Sequence, residues 1–314
     1  MSTILITGGT GLVGSALSKM LTAKGHKVII LSRTQKSSKD SSVIYHKWNV
    51  DEQTIDSKAI SNADYIVHLA GAGVADKKWT TDRKKEIVDS RTQSSALLIK
   101  ALKEVPNNVK AVISASAIGF YGDDETRTSR QQVFTEDMLP SKEFLGETCR
   151  LWEESIEPVI IAGKRLVKFR IGIVLSNDGG AFPEFKKPVK FGIASVLGSG
   201  KQVVSWVHIE DVCRMFLFAI ENENIQGVYN AVAPTPVRNK DLTLLLAEKI
   251  KGRFFVHMHV PVFVLKAVLG QMSVEVIKST TVSCEKLLSA GFTFLYPTID
   301  TALNKLVKQS GQNS

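Results

Sequence analysis

Three evenly spaced glycines lie between an apolar segment and an amphipathic segment at the start of this sequence. Gly8, Gly11 and Gly14 follow residues 4–7 (ILIT) and precede a helical pattern over residues 12–24. In a strand-to-helix turn, one glycine permits the sharp turn, a second lets the backbone approach a pyrophosphate, and a third lets the helix pack on the strand. The N–H groups at the start of the helix then face the phosphates. We therefore predict a dinucleotide-phosphate site, comprising Gly8, Thr10, Gly11, Leu12, Val13 and Gly14.

The end of the second predicted strand indicates which dinucleotide this site prefers. NAD sites usually place an Asp or Glu there, which accepts hydrogen bonds from the ribose 2′-OH, whereas NADP sites use a nearby Arg. Here the strand ends in Ser32 and Arg33, and no acidic residue follows before Asp40. Arg33 can bind a 2′-phosphate through two N–H groups, and Ser32 can donate a hydrogen bond to it. The alternative is that Arg33 is merely an exposed surface residue. We expect NADP(H) to be preferred over NAD(H).

Short β-branched segments alternate with amphipathic segments along the first half of the chain. This alternation predicts parallel βαβ units, and therefore an α/β fold with a doubly wound parallel sheet of the Rossmann type. The predicted strands are 4–7, 27–31, 43–46, 65–69, 111–114, 166–174 and 228–231. The predicted helices are 12–24, 82–104 and 142–156, with others from near 210 and after 239; residues 177–200 are predicted to be rich in turns. We assign residues 1–175 and 205–232 to the dinucleotide-binding domain, and 176–204 and 233–314 to a smaller, mainly helical substrate lobe.

Several segments resemble motifs of the extended short-chain dehydrogenases/reductases, the superfamily of NAD(P)-dependent epimerases and dehydratases. Besides the glycine turn, these segments are 68–71 (HLAG), 114–122 (SASAIGFYG), 169–172 (FRIG) and 206–212 (WVHIEDV). Within the superfamily the chain resembles the atypical epimerase family proteins, some of whose bacterial members are labelled as cell-division inhibitors. This closer resemblance rests on Trp79, Glu86, Ser90-Arg91, the segment 144–153 and the tail 286–297.

The resemblance implies further residues around the cofactor. These are Leu69, Ala70, Gly71, Glu86, Arg91, Ser114 and Val174. It also implies that Ser116 lies on the strand that carries the active-site Ser of the superfamily, where a serine holds a substrate oxygen. The alternative is that Ser116 is only a serine at the end of a strand. For Glu86 and Arg91, a solvated helix surface is the alternative interpretation, because their spacing of five residues does not place them on one helical face.

The proton-transfer pair of the superfamily is missing from this chain. Relatives use Tyr-x-x-x-Lys, in which the Lys lowers the pKa of the Tyr that exchanges a proton with substrate. None of the five tyrosines here is followed by Lys four residues later. The expected helix instead carries Phe144 or Leu145 at the Tyr position, and Thr148 or Cys149 at the Lys position.

Other residues are weaker candidates for the missing proton donor. Tyr121 is a candidate for a displaced acid, although a packing role is favoured, and Glu143 or Glu147 more plainly belongs to a solvated helix face. His208 lies inside a recognised motif, and we interpret it as a structural residue at a helix start.

Two functional hypotheses follow. The first is an NADP(H)-dependent oxidoreductase or epimerase that acts on an unknown small molecule with a non-standard proton donor. The second is a catalytically silent NADP(H)-binding protein that acts as a sensor or binds a partner. The intact glycine turn supports both hypotheses, since hydride transfer is chemistry of the cofactor.

Composition excludes several other classes of protein. The chain has 314 residues, 44% hydrophobic and 23% charged, with a net charge of +9. Its Lys and Arg residues are scattered and not interleaved with aromatics, so we expect no nucleic-acid partner. Charges and Pro261 interrupt the apolar segment 254–272, so we expect no membrane partner. Cys149, Cys213 and Cys284 lack metal-ligand spacing and suit a reducing compartment. We expect a cytoplasmic monomer or homodimer without a metal or a signal peptide.

Overall fold

The computed structural model describes residues 1–34, 36–38, 40–127 and 133–311. In chain order its strands are β1 (Thr3–Thr7), β2 (Lys27–Ser32), β3 (Val43–Asn49), β4 (Thr54–Ile55), β5 (Tyr65–His68), β6 (Ala111–Ala117), β7 (Arg165–Ile171), β8 (Ile173–Ser176), β9 (Gly179–Gly180), β10 (Ile193–Leu197), β11 (Val203–Val204), β12 (Trp206–His208), β13 (Gly227–Ala231), β14 (Val237–Arg238) and β15 (Val256–Val260).

The α-helices complete the chain between these strands. They are α1 (Leu12–Ala23), α2 (Ser57–Ser61), α3 (Thr81–Glu104), α4 (Phe144–Ile156), α5 (Pro158–Ile161), α6 (Phe182–Lys190), α7 (Ile209–Glu221), α8 (Asn239–Lys251), α9 (Val262–Leu269), α10 (Ser273–Ile277), α11 (Glu285–Ser289) and α12 (Ile299–Gly311). Within the described ranges, no helix combines the length and the apolar character needed to cross a bilayer.

A central eight-stranded sheet confirms the predicted α/β fold. Its strand order is β13-β7-β6-β5-β1-β2-β3-β4, and every neighbouring pair is parallel except β3 with β4. The chain runs outward from β1 to β3 on one side and from β5 to β13 on the other. The strand order therefore reverses between β1 and β5, which is where ligands of open α/β sheets bind.

Alternate residues of β1 point into two separate apolar cores. Ile4 and Ile6 pack in the cluster that holds Leu17 of α1 and Phe216 of α7. Leu5 packs on the opposite side of the sheet, in the cluster that holds residues of α3. This alternation is the two-residue period of a strand that is buried on both faces.

A third apolar cluster lies outside the central sheet. It joins residues of α6, β10, α8 and α12, including Phe182, Ala194, Leu246 and Leu303, with Trp206 of β12. Residues 177–200, predicted to be rich in turns, also contain the helix α6 and the strand β10. Pro183 and Pro188, both within α6, hid its amphipathic pattern, since proline normally interrupts a helix.

A buried hydrogen-bond chain ties the carboxyl ends of β1 and β5 to α3. The Thr7 hydroxyl accepts the N–H groups of Leu69 and Ala70, both at 3.1 Å, so its proton is directed to His68 Nδ1 at 2.8 Å. His68 Nε2 must then carry the proton that it shares with Ser95 Oγ at 3.2 Å. Burial lowers the pKa of His68 to about 3, so the ring is neutral. The ends of the two strands that form the crevice are thereby fixed to each other.

This neutral histidine makes stability depend on pH. The pKa of His68 falls from 6.5 in the unfolded chain to about 3 in the folded chain. The stabilisation is complete above about pH 6.5 and is lost progressively as the pH falls toward 3, because the unfolded chain binds the proton more readily. We expect the free energy of unfolding to fall by about 2 kcal/mol between pH 7 and pH 5 from this residue. Urea denaturation of the wild type and of His68→Gln measures this, and an equal pH dependence in both would contradict it.

Candidate functional site

A cleft of about 1170 Å³ opens at the carboxyl ends of β1, β2, β3 and β5, beside the first turns of α3. Nine of the residues predicted for the cofactor line it: Gly8, Thr10, Gly11, Ser32, Arg33, Leu69, Ala70, Gly71 and Glu86. The residues from Trp48 to Asp51, at the end of β3 and just after it, also line the cleft and were not predicted from the sequence. The register of β3 beside β2 could have indicated them, since neighbouring parallel strands end at the same edge.

The glycine turn leaves no room for side chains. Gly8 has a φ of +68°, and a Cβ atom there would lie 2.8 Å from the carbonyl carbon and oxygen of Leu69. A Cβ atom at Gly14 would lie 2.4 Å from the Gly8 oxygen. The Gly11 N–H donates to the same oxygen at 3.0 Å, which closes the turn. Backbone atoms therefore form the floor of the cleft at this point.

The start of α1 suits an anionic group. Its N-cap residue, Gly11, supplies no side-chain hydrogen bond, and the first turn holds no acidic residue. The first N–H groups of a helix have no partner within the helix and carry the positive end of its dipole. A narrow glycine cradle beside these groups fits the pyrophosphate of a dinucleotide.

A glycine-to-alanine comparison tests this close approach. Gly8 and Gly25 both have positive φ, +68° and +83°, but only Gly8 has neighbours within 4 Å of an added Cβ. We expect Gly25→Ala to cost about 1 kcal/mol from its backbone conformation, and Gly8→Ala to cost about 1–3 kcal/mol more from overlap with Leu69. Chemical denaturation of both variants measures the difference, and equal losses would refute the account.

The end of β2 presents one cation to the cleft. Ser32 is buried, and its Oγ accepts the Thr34 N–H at 3.4 Å. Arg33 is exposed and lines the cleft together with Glu86. The pKa of Glu86 is lowered chiefly by its hydrogen bond from Arg83, at 2.6 Å, and also by the charges of Lys77 and Arg33. The exposed Arg33 therefore adds positive charge to the cleft at the end of β2.

Arg91 lies below the cleft rather than on a solvated surface. It is buried, its Nη1 donates to the carbonyl oxygens of Ala72 at 3.1 Å and Ile87 at 2.7 Å, and its guanidinium lies over the Trp152 ring. Burial lowers its pKa. The adjacent Ser90 hydroxyl accepts the Ala72 N–H at 2.9 Å. Ser90 and Arg91 therefore hold the loop after β5 in place, and through it the wall of the cleft.

Leu12 and Val174, two more of the predicted residues, lie beside the β8–β9 hairpin. A Cβ atom added at Gly179 would lie 3.6 Å from the Leu12 side chain. A Cβ atom added at Gly180 would lie 3.3 Å from the Leu12 side chain and 3.4 Å from the Val174 oxygen. The β8–β9 hairpin thus covers the start of α1. Ser114 is buried, and its Oγ donates to the Ala115 oxygen at 3.1 Å.

The two predicted catalytic residues belong to one buried polar network. The Ser116 hydroxyl donates to Glu153 Oε1 at 2.7 Å, and Arg170 binds both oxygens of Glu153, at 2.8 Å and 3.0 Å. Arg170 also donates to the Tyr121 oxygen at 2.9 Å, and the Tyr121 hydroxyl donates to Asn230 Oδ1 at 2.7 Å. Ser116 directs its proton into the core, away from solvent.

Tyr121 has the environment of a packing residue. It has no exposed surface, its ring stacks on Phe134 with centroids 5.0 Å apart, and burial raises its pKa to about 12. A phenol of this pKa holds its proton firmly at neutral pH. The geometry supports the packing interpretation of Tyr121 over that of a displaced acid.

The ion pair at the centre of this network has an exposed counterpart for comparison. Removing one partner of a buried pair leaves a buried charge uncompensated, so we expect Glu153→Gln to cost about 3–5 kcal/mol. Glu147 forms an exposed ion pair with Arg150, and we expect Glu147→Gln to leave stability nearly unchanged. Denaturant titration measures both variants, and a small loss for Glu153→Gln would show that the network does not support the core.

Two bacterial proteins resemble the whole of this chain. Epimerase family protein YfhF of Bacillus subtilis (strain 168) is 34% identical over 305 residues, which cover 97% of both chains. An epimerase family protein of Staphylococcus saprophyticus is 35% identical over 307 residues, which cover 98% of this chain and all of the relative. This chain belongs to the epimerase family proteins.

Family models agree with this membership. The NAD dependent epimerase/dehydratase family matches residues 4–144, and a domain of unknown function, DUF1731, matches residues 260–306. These matches confirm the resemblance to the extended short-chain dehydrogenases/reductases.

Solved structures share the fold over nearly the whole length. The human epimerase family protein SDR39U1 (isoform 2), solved with NADPH, is 27% identical, with a TM-score of 0.86 over 98% of this chain and 99% of that one. MoeE5, solved with UDP-glucuronic acid and NAD, is 18% identical, with a TM-score of 0.77 over 99% of this chain and 100% of that one. At that identity MoeE5 shows the fold alone.

In this epimerase family protein, the helix on which the sequence resemblance predicts the Tyr-Lys pair of relatives corresponds to α4. Its Phe144 ring contacts the Trp79 ring edge-on at 4.9 Å, and Lys84 lies over both rings. The Thr148 hydroxyl donates to the Phe144 oxygen at 2.7 Å, and burial raises the pKa of Cys149 to about 12. None of the side chains at these positions exchanges a proton near neutral pH.

The weaker candidates for proton transfer also have other tasks. His208 Nδ1 accepts the Glu210 N–H at the start of α7, and burial lowers the pKa of His208 to about 4, in line with a structural role. Glu147 pairs with Arg150 on the exposed face of α4, and Glu143 lies 3.7 Å from Lys278.

Proposed function

We propose that this epimerase family protein binds NADP(H) in the cleft above β1, β2 and β5, in preference to NAD(H). The observation that carries the proposal is the end of β2, where Ser32 and the exposed Arg33 line the cleft. An Asp or Glu would repel a 2′-phosphate there, whereas a guanidinium can bind it through two hydrogen bonds. The NADPH in the human relative supports this preference.

Each part of the chain has a distinct task in this proposal. The N–H groups of α1 hold the pyrophosphate, Ser32 and Arg33 hold the 2′-phosphate, and Trp48–Asp51 wall the adenine side of the cleft. Ser90 and Arg91 hold the loop after β5 in shape. When bound, the cofactor supplies a hydride donor or acceptor.

For the reaction, we propose an oxidoreductase or epimerase that acts on an unknown small molecule without the Tyr-x-x-x-Lys pair. The β8–β9 hairpin covers the start of α1, and a substrate would enter at the carboxyl ends of the strands. The Ser116 oxygen keeps a lone pair after donating to Glu153, so it can still accept a hydrogen bond from a substrate hydroxyl.

A silent NADP(H)-binding protein is the second candidate, and a specific observation favours it. The positions that the resemblance assigns to the Tyr-Lys pair hold Phe144, which packs on Trp79, and Thr148, whose hydroxyl donates to the backbone. A protein that only senses the bound cofactor, or that binds a partner, needs the cleft and no proton donor.

Cofactor preference is directly measurable. We expect NADPH to raise the melting temperature of the protein more than NADH does, because the contact of Arg33 with the 2′-phosphate lowers the Kd for NADPH. A cofactor at a hundredfold over its Kd adds about 2.7 kcal/mol to the free energy of unfolding. Arg33→Asp should reverse the preference. Lys19→Asp, on the exposed surface of α1, is the control with the same charge change. Equal shifts with both cofactors, or unchanged NADPH affinity in Arg33→Asp, would show that Arg33 does not contact the 2′-phosphate.

Hydride transfer separates the two candidate functions. We expect the wild type, incubated with NADPH deuterated at C4 and a cell extract, to place deuterium in a small molecule, and Arg33→Asp to transfer much less. Mass spectrometry of the extract provides the readout, together with a search for isomerised products. Tight NADPH binding without transfer or isomerisation would contradict the enzyme hypothesis and support the silent one.

A further inference from the structure

Within the described residues, the C-terminal part of the molecule exposes several large apolar side chains. β10 and β15 form a separate two-stranded parallel sheet, in which Ile193 lies beside Val256 and Ser195 beside Met258. Val256 is 72% exposed and Met258 52% exposed. The other face of β10 is buried against α6 and α8 through Ala194 and Val196. One face of β10 is therefore buried, whereas the residues of β15 from Val256 to His259 are all exposed to solvent.

Three phenylalanines protrude at the borders of this sheet. Phe191 is 83% exposed, Phe254 88% and Phe263 73%. Phe191 and Phe254 precede β10 and β15, and a Cβ atom at Gly192 would lie 3.7 Å from the Phe254 oxygen, so both stand at the same end. Phe263 lies in α9 at the opposite end of the sheet. Its neighbour Val262 would lie 3.5 Å from a Cβ atom added at Gly198, the residue that follows β10. Several exposed apolar side chains at both ends of one small sheet are typical of an interaction surface.

Basic residues predominate in the two segments that contain β10 and β15. The segments 185–202 and 249–272 contain eight Lys and Arg residues and no Asp or Glu. Each protruding phenylalanine has a cation near it in sequence: Lys190 before Phe191, Arg253 before Phe254, and Lys266 one turn after Phe263. Lys190, Arg253 and Lys266 form no ion pair with a carboxylate of the described residues.

We propose that this face docks the protein peripherally on an anionic lipid surface. Aromatic and aliphatic tips flanked by unpaired cations match the boundary between acyl chains and anionic headgroups. A second copy of the chain fits less well, because a symmetric interface would bring the cations of two faces together. The expectation of no membrane partner came from the missing span, and a surface-bound protein needs none.

Vesicle flotation with the full chain tests the proposal. The protein is mixed with phosphatidylcholine vesicles, with and without phosphatidylglycerol, over a range of NaCl concentrations. We expect at least about tenfold more bound protein on the anionic vesicles, and a loss of binding as salt rises, since salt screens the attraction. Binding that is independent of phosphatidylglycerol, or no binding, overturns the proposal.

Matched variants locate the binding face. We expect at least about tenfold weaker vesicle binding from the triple variant Lys190→Glu/Arg253→Glu/Lys266→Glu. The control is the triple variant Lys19→Glu/Lys100→Glu/Lys103→Glu, which makes the same charge change on exposed residues of α1 and α3. We expect the control to bind nearly as the wild type does. Equal losses in both variants would show a diffuse attraction of a basic protein and would overturn the assignment of this face. Circular dichroism confirms that both variants are folded.

Insertion of the apolar tips has its own readout. Tryptophan emission in Phe254→Trp should be quenched by brominated acyl chains, whereas emission in Ile161→Trp, at an 84% exposed position on α5, should not be. Absent quenching would contradict insertion. If analytical ultracentrifugation instead shows a dimer that Phe254→Ser dissociates, while vesicles bind neither protein, the face belongs to a second copy and the lipid proposal fails.

Discussion

The close approach of β1 to the loop after β5 is the constraint on which the site depends. Gly8 lies against the backbone of Leu69, where a side chain could not fit, and the Thr7 hydroxyl holds the N–H groups of Leu69 and Ala70. Neutral His68 completes the chain to α3. Because β1 and β5 flank the reversal of strand order, fixing their ends fixes the floor of the crevice. The position of α1 follows, since its first residues continue the same glycine turn.

Binding a cofactor and reacting with it are separate properties of this structure. The cleft rests on backbone geometry, and Arg33 at the end of β2 is one of the exposed cations that line it. The polar residues nearest the end of β6 are committed elsewhere: Ser116 donates to Glu153, and Tyr121 lies between Arg170 and Asn230. A buried ion pair holds its place only when its hydrogen bonds are satisfied. The network therefore supports the core. Proton transfer, if the protein is an enzyme, falls to another group that contacts the substrate directly, and a silent cofactor-binding protein needs no such group.

Much of the fold could be predicted from the sequence, since the evidence for it is local. The glycine turn, the alternation of strands and helices, and helices such as α3 and α4 follow from periodicity within short windows. The structure confirms them, with ends shifted by a few residues. The helix α6 was not predicted, because two prolines within it and glycines on either side interrupt its amphipathic sequence pattern.

The contacts of the site could be predicted only in part. Arg33 and Ser32 were found because they follow a recognisable strand, and Trp48–Asp51 were missed because no motif marks the end of β3. The partnership of Ser116 with Glu153 spans 37 residues and depends on how α4 packs against β6. Neither propensity nor spacing encodes such a contact. The chemistry of a residue that a motif places near a cofactor is decided by partners far along the chain.

A crystal structure with NADP(H) bound is the most direct test of the central claim, that a phosphorylated dinucleotide binds where β1 and β5 are held together. We predict that the pyrophosphate lies on the N–H groups at the start of α1, and that the Arg33 guanidinium lies about 3 Å from the 2′-phosphate oxygens. A cofactor bound elsewhere, or a 2′-phosphate that faces solvent without Arg33, would contradict the account.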